Sequence, residues 1–196
     1  MLEQYLINHC APTLASLKTA NLFNCTAENP TALQTAVSRW QALLAPKGVE
    51  LLLLRESGNR ALVYVYRPDR LARDLQQPGV AAFLAHCGYT GTAPAACLDV
   101  LRRKLAVSSD FPHEIGLFLG YPLGDVIGFI ENHGQNCLCC GVWKVYTNPE
   151  AAAGAFRKFS KCTRVYRRLF FGGQRNVEQL TVKVLNIFLD TERNLL

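Results

Sequence analysis

No uninterrupted apolar run in this chain reaches the roughly 20 residues that a membrane-spanning helix needs. The longest candidate, Ile115 to Ile130, is broken by Pro122, Asp125 and four glycines. The opening stretch, Met1 to Cys10, carries Glu3 but no lysine or arginine, and so lacks the basic start of a secretory signal. These two absences lead to the expectation of a cytoplasmic protein that is not embedded in a membrane. Charge is also scarce: 18% of the 196 residues are charged, against 49% apolar. That balance argues against disorder and supplies enough apolar surface for one packed domain. The expected boundaries are a single α/β domain over residues 1–182 and a C-terminal extension over 183–196.

Acidic residues are missing altogether between Ala151 and Val177. Within that gap Arg157, Lys158, Lys161, Arg164, Arg167 and Arg168 put six positive charges into twelve residues. They equal the whole formal charge of +6, so basicity is local to one segment. Eight cysteines are present. Without an export signal they are expected to be reduced thiols rather than a disulfide framework. Cys25, Cys87 and Cys97 lie among alanines, leucines and phenylalanines and read as small core residues.

Periodicity outlines the elements. Leu2 to Leu17 reads as helix broken near Pro12, and Asn21 to Thr26 as a short strand. Pro30 to Leu44 repeats Leu33, Val37, Trp40 and Leu44 at helical spacing. Gly48 to Arg55 and Arg60 to Tyr66 read as a hairpin around Ser57-Gly58-Asn59. The uniformly apolar run Val49 to Leu54 predicts a central strand covered on both faces. Helices follow over Pro68 to Leu75, Val80 to Cys87 and Ala95 to Ala106. Ile115 to Leu119 reads as a buried strand, and Pro122 to Asn132 as a helix with proline at its start and Gly134 past its end. Val142 to Thr147 reads as a strand. Asn148-Pro149-Glu150 opens a last helix to about Phe170, where Gly172-Gly173 ends it. The fold class expected is α+β (mixed α/β), with a mixed sheet containing the hairpin and covered by helices.

Three stretches carry a resemblance. They are His9-Cys10-Ala11-Pro12-Thr13-Leu14-Ala15 running on to Ala20-Asn21-Leu22-Phe23; Val63-Tyr64-Val65-Tyr66-Arg67-Pro68; and Phe111-Pro112-His113-Glu114-Ile115-Gly116-Leu117-Phe118-Leu119-Gly120-Tyr121-Pro122. The last continues through Asp125-Val126-Ile127-Gly128-Phe129-Ile130-Glu131-Asn132 to Trp143-Lys144-Val145-Tyr146. Together they resemble the bacterial family known as domain of unknown function 3793, from about Tyr5 to Thr181. The resemblance implies a cytoplasmic bacterial protein with no assigned activity, encoded near flavodoxin or iron-transport genes.

Chemistry-bearing side chains concentrate in Pro112-His113-Glu114 and Cys137-Leu138-Cys139-Cys140. Imidazole and thiolates are the ligand set of zinc and iron. Cys137 and Cys140 have C-x-x-C spacing, His133 lies four residues before Cys137, and Cys162 is a further candidate ligand. The metal set expected is therefore Cys137, Cys139, Cys140, His113 and Cys162, holding zinc or iron. The bland alternative is a hydrogen-bonded histidine and loop thiols, because a structural zinc site usually pairs two such motifs. A thiolate beside a histidine is also a nucleophile pair, which makes His113, Glu114 and Cys140 catalytic candidates.

Gly116, Gly120, Gly124 and Gly128 are expected to permit tight turns and close backbone approach around Tyr121-Pro122 rather than to bind a nucleotide. Arg67, Arg70 and Arg73 lie where a strand feeds a helix. Arg67 and Arg70 are candidate ligands for an anionic cofactor, set against partly paired surface charge. The last helix is amphipathic, with Ala152, Ala155, Phe156, Phe159, Val165, Tyr166 and Leu169 on one face and bases around the rest.

The leading expectation is an accessory protein that binds a small ligand, metal or redox partner near His113 and the Cys137–Cys140 loop. Flavodoxin, as an acidic protein, or a small anion would be its partner. Two alternatives stay open: a thiol-dependent enzyme with a cysteine nucleophile and His113 as base, and a nucleic-acid-associated protein using the basic helix 157–168.

Overall fold

Successive side chains of a strand point to opposite faces, and along Arg60–Tyr66 both faces are apolar. Ala61, Val63 and Val65 enter one hydrophobic cluster, while Leu62, Tyr64 and Tyr66 enter a second. In the computed structural model, which describes residues 2–26, 29–107 and 111–184, this segment is the central strand β3. It pairs antiparallel with β1 (Ala20–Thr26) on one side and β2 (Glu50–Ser57) on the other. A two-residue turn joins β2 to β3, with Gly58 at φ +56°, a conformation that glycine adopts without steric cost.

Helices cover both faces. Against one lie α1 (Leu2–Leu14), α2 (Pro30–Leu44), α8 (Pro149–Phe171) and α9 (Val177–Leu180). Against the other lie α3 (Pro68–Leu75), α4 (Val80–His86), α5 (Pro94–Val107), α6 (Ile115–Phe118) and α7 (Leu123–Glu131). A two-stranded hairpin, β4 (Cys139–Cys140) and β5 (Lys144–Val145), sits between α7 and α8 in sequence. The chain is a single α+β domain. The Asn29 and Asn148 side chains each accept the backbone N–H three residues on, at 2.8 and 3.0 Å, and cap α2 and α8.

Four expectations are corrected. The pairing in the sheet is antiparallel throughout rather than mixed. The Val49 to Leu54 run is an edge strand, not the central one. It is apolar because Leu51 and Leu53 meet one cluster while Leu52 and Leu54 meet the other, with Leu54 at a bulge in the pairing. Ile115 to Leu119 is helix α6, since the Pro112 and His113 carbonyls accept the Ile115 and Gly116 N–H groups and begin a helical turn. The strand expected over Val142 to Thr147 shrinks to Lys144–Val145. Most of the extension over 183–196 lies outside the described residues.

Arg67 and Arg70 are not free to hold a cofactor. Arg67 is 2% exposed, and its guanidinium donates to the Thr13, Leu14, Val182 and Lys47 carbonyls at 2.7, 2.7, 2.9 and 3.3 Å. Arg70 donates to the Ser16 carbonyl and to its hydroxyl. The Thr13, Leu14 and Ser16 carbonyls end or follow α1, where a helix leaves its last C=O groups unpaired and its dipole favours positive charge. Burial lowers the Arg67 pKa to about 10. Lys18, 4% exposed, joins them: its ammonium donates to the Ala20 carbonyl and, at 2.8 Å, to the Leu119 carbonyl. Burial brings its pKa down to about 7, opposed by the nearby Cys10 and Asp74.

Two outcomes follow for stability. Replacing Arg67 by methionine removes a charge-assisted hydrogen bond from four carbonyls, two of them buried, and should cost about 4 kcal/mol in urea unfolding, while Arg67→Lys, with no planar fork, should restore less than half. A loss under about 1 kcal/mol would remove Arg67 from this role. Lys18 binds its proton more weakly folded than unfolded, so its cost to stability is full below pH 7 and fades as pH rises towards 10. The raised thiols Cys10, Cys25, Cys87, Cys97 and Cys162 act in the opposite sense as pH rises through the thiol range. Subtracting the Lys18→Met variant from wild type cancels them. That difference should move by about 2 kcal/mol in favour of wild type between pH 7 and pH 9, and a flat difference would show an unshifted lysine.

Candidate functional site

The segment from Phe111 to Glu131 carries α6 and then α7, and three of its glycines set how the chain turns and what packs on α7. A Cβ on Gly124 would lie 2.6 Å from Thr147 Cγ2, and one on Gly128 would lie 2.6 Å from the Tyr146 ring. These two glycines, one turn apart on α7, let the backbone around Tyr146 lie directly on the helix. Gly120 has φ +76° and turns the chain from α6 into Tyr121-Pro122. The glycine spacing therefore serves close approach and turning.

Asp125 then fixes what the glycines admit. It is 3% exposed, and one carboxylate oxygen accepts the Tyr146 and Thr147 N–H groups and the Thr147 hydroxyl at 2.8–2.9 Å. The other accepts Trp143 Nε1 at 2.7 Å. Burial alone would raise this carboxyl, but the donors from Tyr146, Thr147 and Trp143 outweigh it and hold the pKa below the ordinary carboxylate value. Trp143 is thus aimed inward. Its ring stacks on Tyr121 at 4.9 Å between centroids and meets Phe156 edge-on at 4.5 Å.

Between α6, α7 and the β4–β5 hairpin lies a cavity of about 470 Å³. Its walls include Phe111, His113, Tyr121, Phe129, Cys140 and Trp143, with Asp125 and Lys144 among the polar members. The His113 ring meets Phe129 edge-on at 5.0 Å, and the Lys144 ammonium donates to the Gly134 carbonyl. An apolar, aromatic concavity with few polar groups, in this size range, is the usual form of a small-molecule site.

The sequence candidates divide around this cavity. His113 and Cys140 both line it, and both are exposed. Glu114 does not: it is buried on the other side of the turn, accepting from Tyr89 Oη at 3.2 Å and paired with Lys104 at 2.5 Å. Its carboxylate is consumed in joining α5 to α6, which removes it from the catalytic candidates. The five expected metal ligands are not brought together either. Cys139 and Cys140 are adjacent in a strand, where neighbouring side chains diverge. Cys162 is buried against α1, its thiol 3.5 Å from the Ala11 carbonyl, with burial raising its pKa to about 11. Among the described residues no three His, Cys, Asp or Glu side chains are grouped to hold a metal ion.

The six bases of α8 are all exposed, and among the described residues the single ion pair is Lys104–Glu114. The patch therefore keeps its positive field against its described neighbours. Asp190 and Glu192 of the tail lie outside those residues. No helix among them is long and apolar enough to cross a membrane.

Several site residues carried little signal in the sequence. Asp125 and Trp143 sit within apolar runs and meet only through folding. Lys18 left a trace, as the single lysine, arginine or carboxylate between Glu3 and Glu28.

A family model described as "Protein of unknown function (DUF3793)" matches residues 6–181. No curated protein and no solved structure matches the chain.

Proposed function

The chain belongs to this family of unknown function, and we propose that it is an accessory protein that binds a small, largely apolar ligand in the cavity beside His113 and Trp143. The observation that carries this reading is the cavity itself. About 470 Å³ is walled by four aromatic rings, and its polar groups are already engaged at Asp125 and Lys144. Groups held in place before a ligand arrives cost little to order on binding. Among the described residues nothing is hydrogen-bonded to the His113 ring nitrogens, which can orient an occupant. We take the protein to be cytoplasmic, because its eight free thiols suit a reducing compartment.

The neutral aromatic 1-naphthol tests this. Calorimetry should find it bound to wild type and weakened about tenfold or more by Cys140→Trp, which places a bulky ring at the cavity wall from an exposed strand position. Equal affinity in the two proteins, both folded by circular dichroism, would sink the reading.

A second reading draws on Cys140 and His113 lining one cavity: a thiol nucleophile with an imidazole base. Here the rate of Cys140 alkylation against pH should change shape when His113 is replaced by alanine. Superimposable profiles would dismiss the pair.

A further inference from the structure

Next to the apolar cavity lies a second concavity, of about 550 Å³, between the C-terminal part of α1 and the outer face of α8. Its chemistry is different. From α8 it takes Ser160, Thr163, Arg164 and Arg167, spaced three, four and seven residues along the helix, so that two hydroxyls and two guanidinia form one stripe. Lys18 and Asn21 line it from the opposite side. The Asn21 carbonyl oxygen accepts from Thr13 Oγ1 at 2.7 Å, which leaves the amide N–H₂ as the end able to donate. Lys18 is buried against two carbonyls, and in its protonated form its three N–H donors exceed them. No carboxylate lines the concavity, and among the described residues neither Arg164 nor Arg167 is ion-paired. Donors converge here from two elements with no acceptor of negative charge. That is the complement of a compact anion with several oxygens, which guanidinium forks bind in bidentate fashion.

The two concavities share a wall. Val142 lines both. Phe156 of the basic cleft meets Trp143 of the apolar cavity edge-on, and Lys18 sits 4.9 Å from the centre of the Tyr121 ring, which stacks on Trp143. One small molecule crossing Val142 would reach both.

We propose that the cleft between α1 and α8 is a phosphate site, and that the ligand is an organic phosphate whose apolar, aromatic part fills the neighbouring cavity. Arg164 and Arg167 clamp the phosphate oxygens, Lys18 supplies charge from below, and Ser160, Thr163 and Asn21 complete the donor set. The apolar half of this ligand rests on the reading given under Proposed function, whereas the phosphate half rests on the cleft alone.

The experiment separates the halves by calorimetry at fixed ionic strength, using 1-naphthyl phosphate, 1-naphthol and inorganic phosphate. The proteins are wild type, Arg164→Gln/Arg167→Gln and Lys18→Met. Naphthyl phosphate should bind wild type at least about tenfold more tightly than naphthol. That advantage should vanish in the arginine double variant, whose exposed positions leave folding untouched, while naphthol affinity stays within about twofold. Lys18→Met should reduce the advantage without changing naphthol binding. If naphthol binds and the phosphate brings no advantage, or the advantage survives the double variant, the inference is overturned and the apolar site stands. If naphthol fails to bind while inorganic phosphate binds in an arginine-dependent way, the apolar reading falls and the phosphate cleft stands. An oligonucleotide bound about tenfold more tightly than naphthyl phosphate, and lost in the same double variant, would assign the cleft to nucleic acid and overturn the inference.

Discussion

The fold depends on how the C-terminal end of α1 is neutralised. A helix ends with carbonyls that have no partner within it, and here those carbonyls face the interior rather than water. Arg67, at the junction of β3 and α3, reaches back to two of them and also to Lys47 and Val182. One guanidinium therefore ties the first helix, the approach to β2, the central strand and the segment after α9. Because its partners are carbonyls on separate segments rather than one carboxylate, removing it loosens several segments together. Its position also explains why the following arginine, Arg70, turns to Ser16 instead of solvent.

Asp125 is the counterpart on the other half of the molecule. It gathers four donors from residues 143–147 and thereby fixes a hairpin whose own pairing is only two residues long. So short a hairpin would not hold its shape alone. The cavity walls are consequently made by a carboxylate that takes little part in lining them. Glycines at 124 and 128 are the steric condition for this, since any side chain there would lift the hairpin from α7.

Much of the fold was legible because its signals are local. Asn29-Pro30 and Asn148-Pro149 mark helix starts through capping of N–H groups three residues away. Gly58 marks a turn through its backbone alone. The failures share a cause, which is that the deciding partner lies far along the chain. Ile115 to Leu119 is a short apolar run, and such runs read equally as strand or helix until packing decides. The leucines of β2 are covered on one face by α2, just before it in sequence, and on the other by the distant α5, so apolarity did not reveal an edge. Arg67 looked like an anion ligand because it precedes a helix start, yet its partners lie 20 to 115 residues away. Cysteine spacing suggested a metal knuckle, but an extended hairpin splays the same residues. His113 and Cys140 line one cavity, whereas Glu114, a single residue on, faces away from it.

The chain has two tryptophans, and their placement has an optical consequence. Trp40 is 7% exposed in the cluster on the far face of the sheet. Trp143 stands beside the residue that lines both concavities, stacked on Tyr121 and edge-on to Phe156, with its indole N–H held by a carboxylate. One indole is thus shielded from anything that enters either concavity, while the other lines the apolar one and meets whatever enters it. Emission from this protein is the sum of a constant internal standard and one occupancy-sensitive dye, built into the sequence without a label.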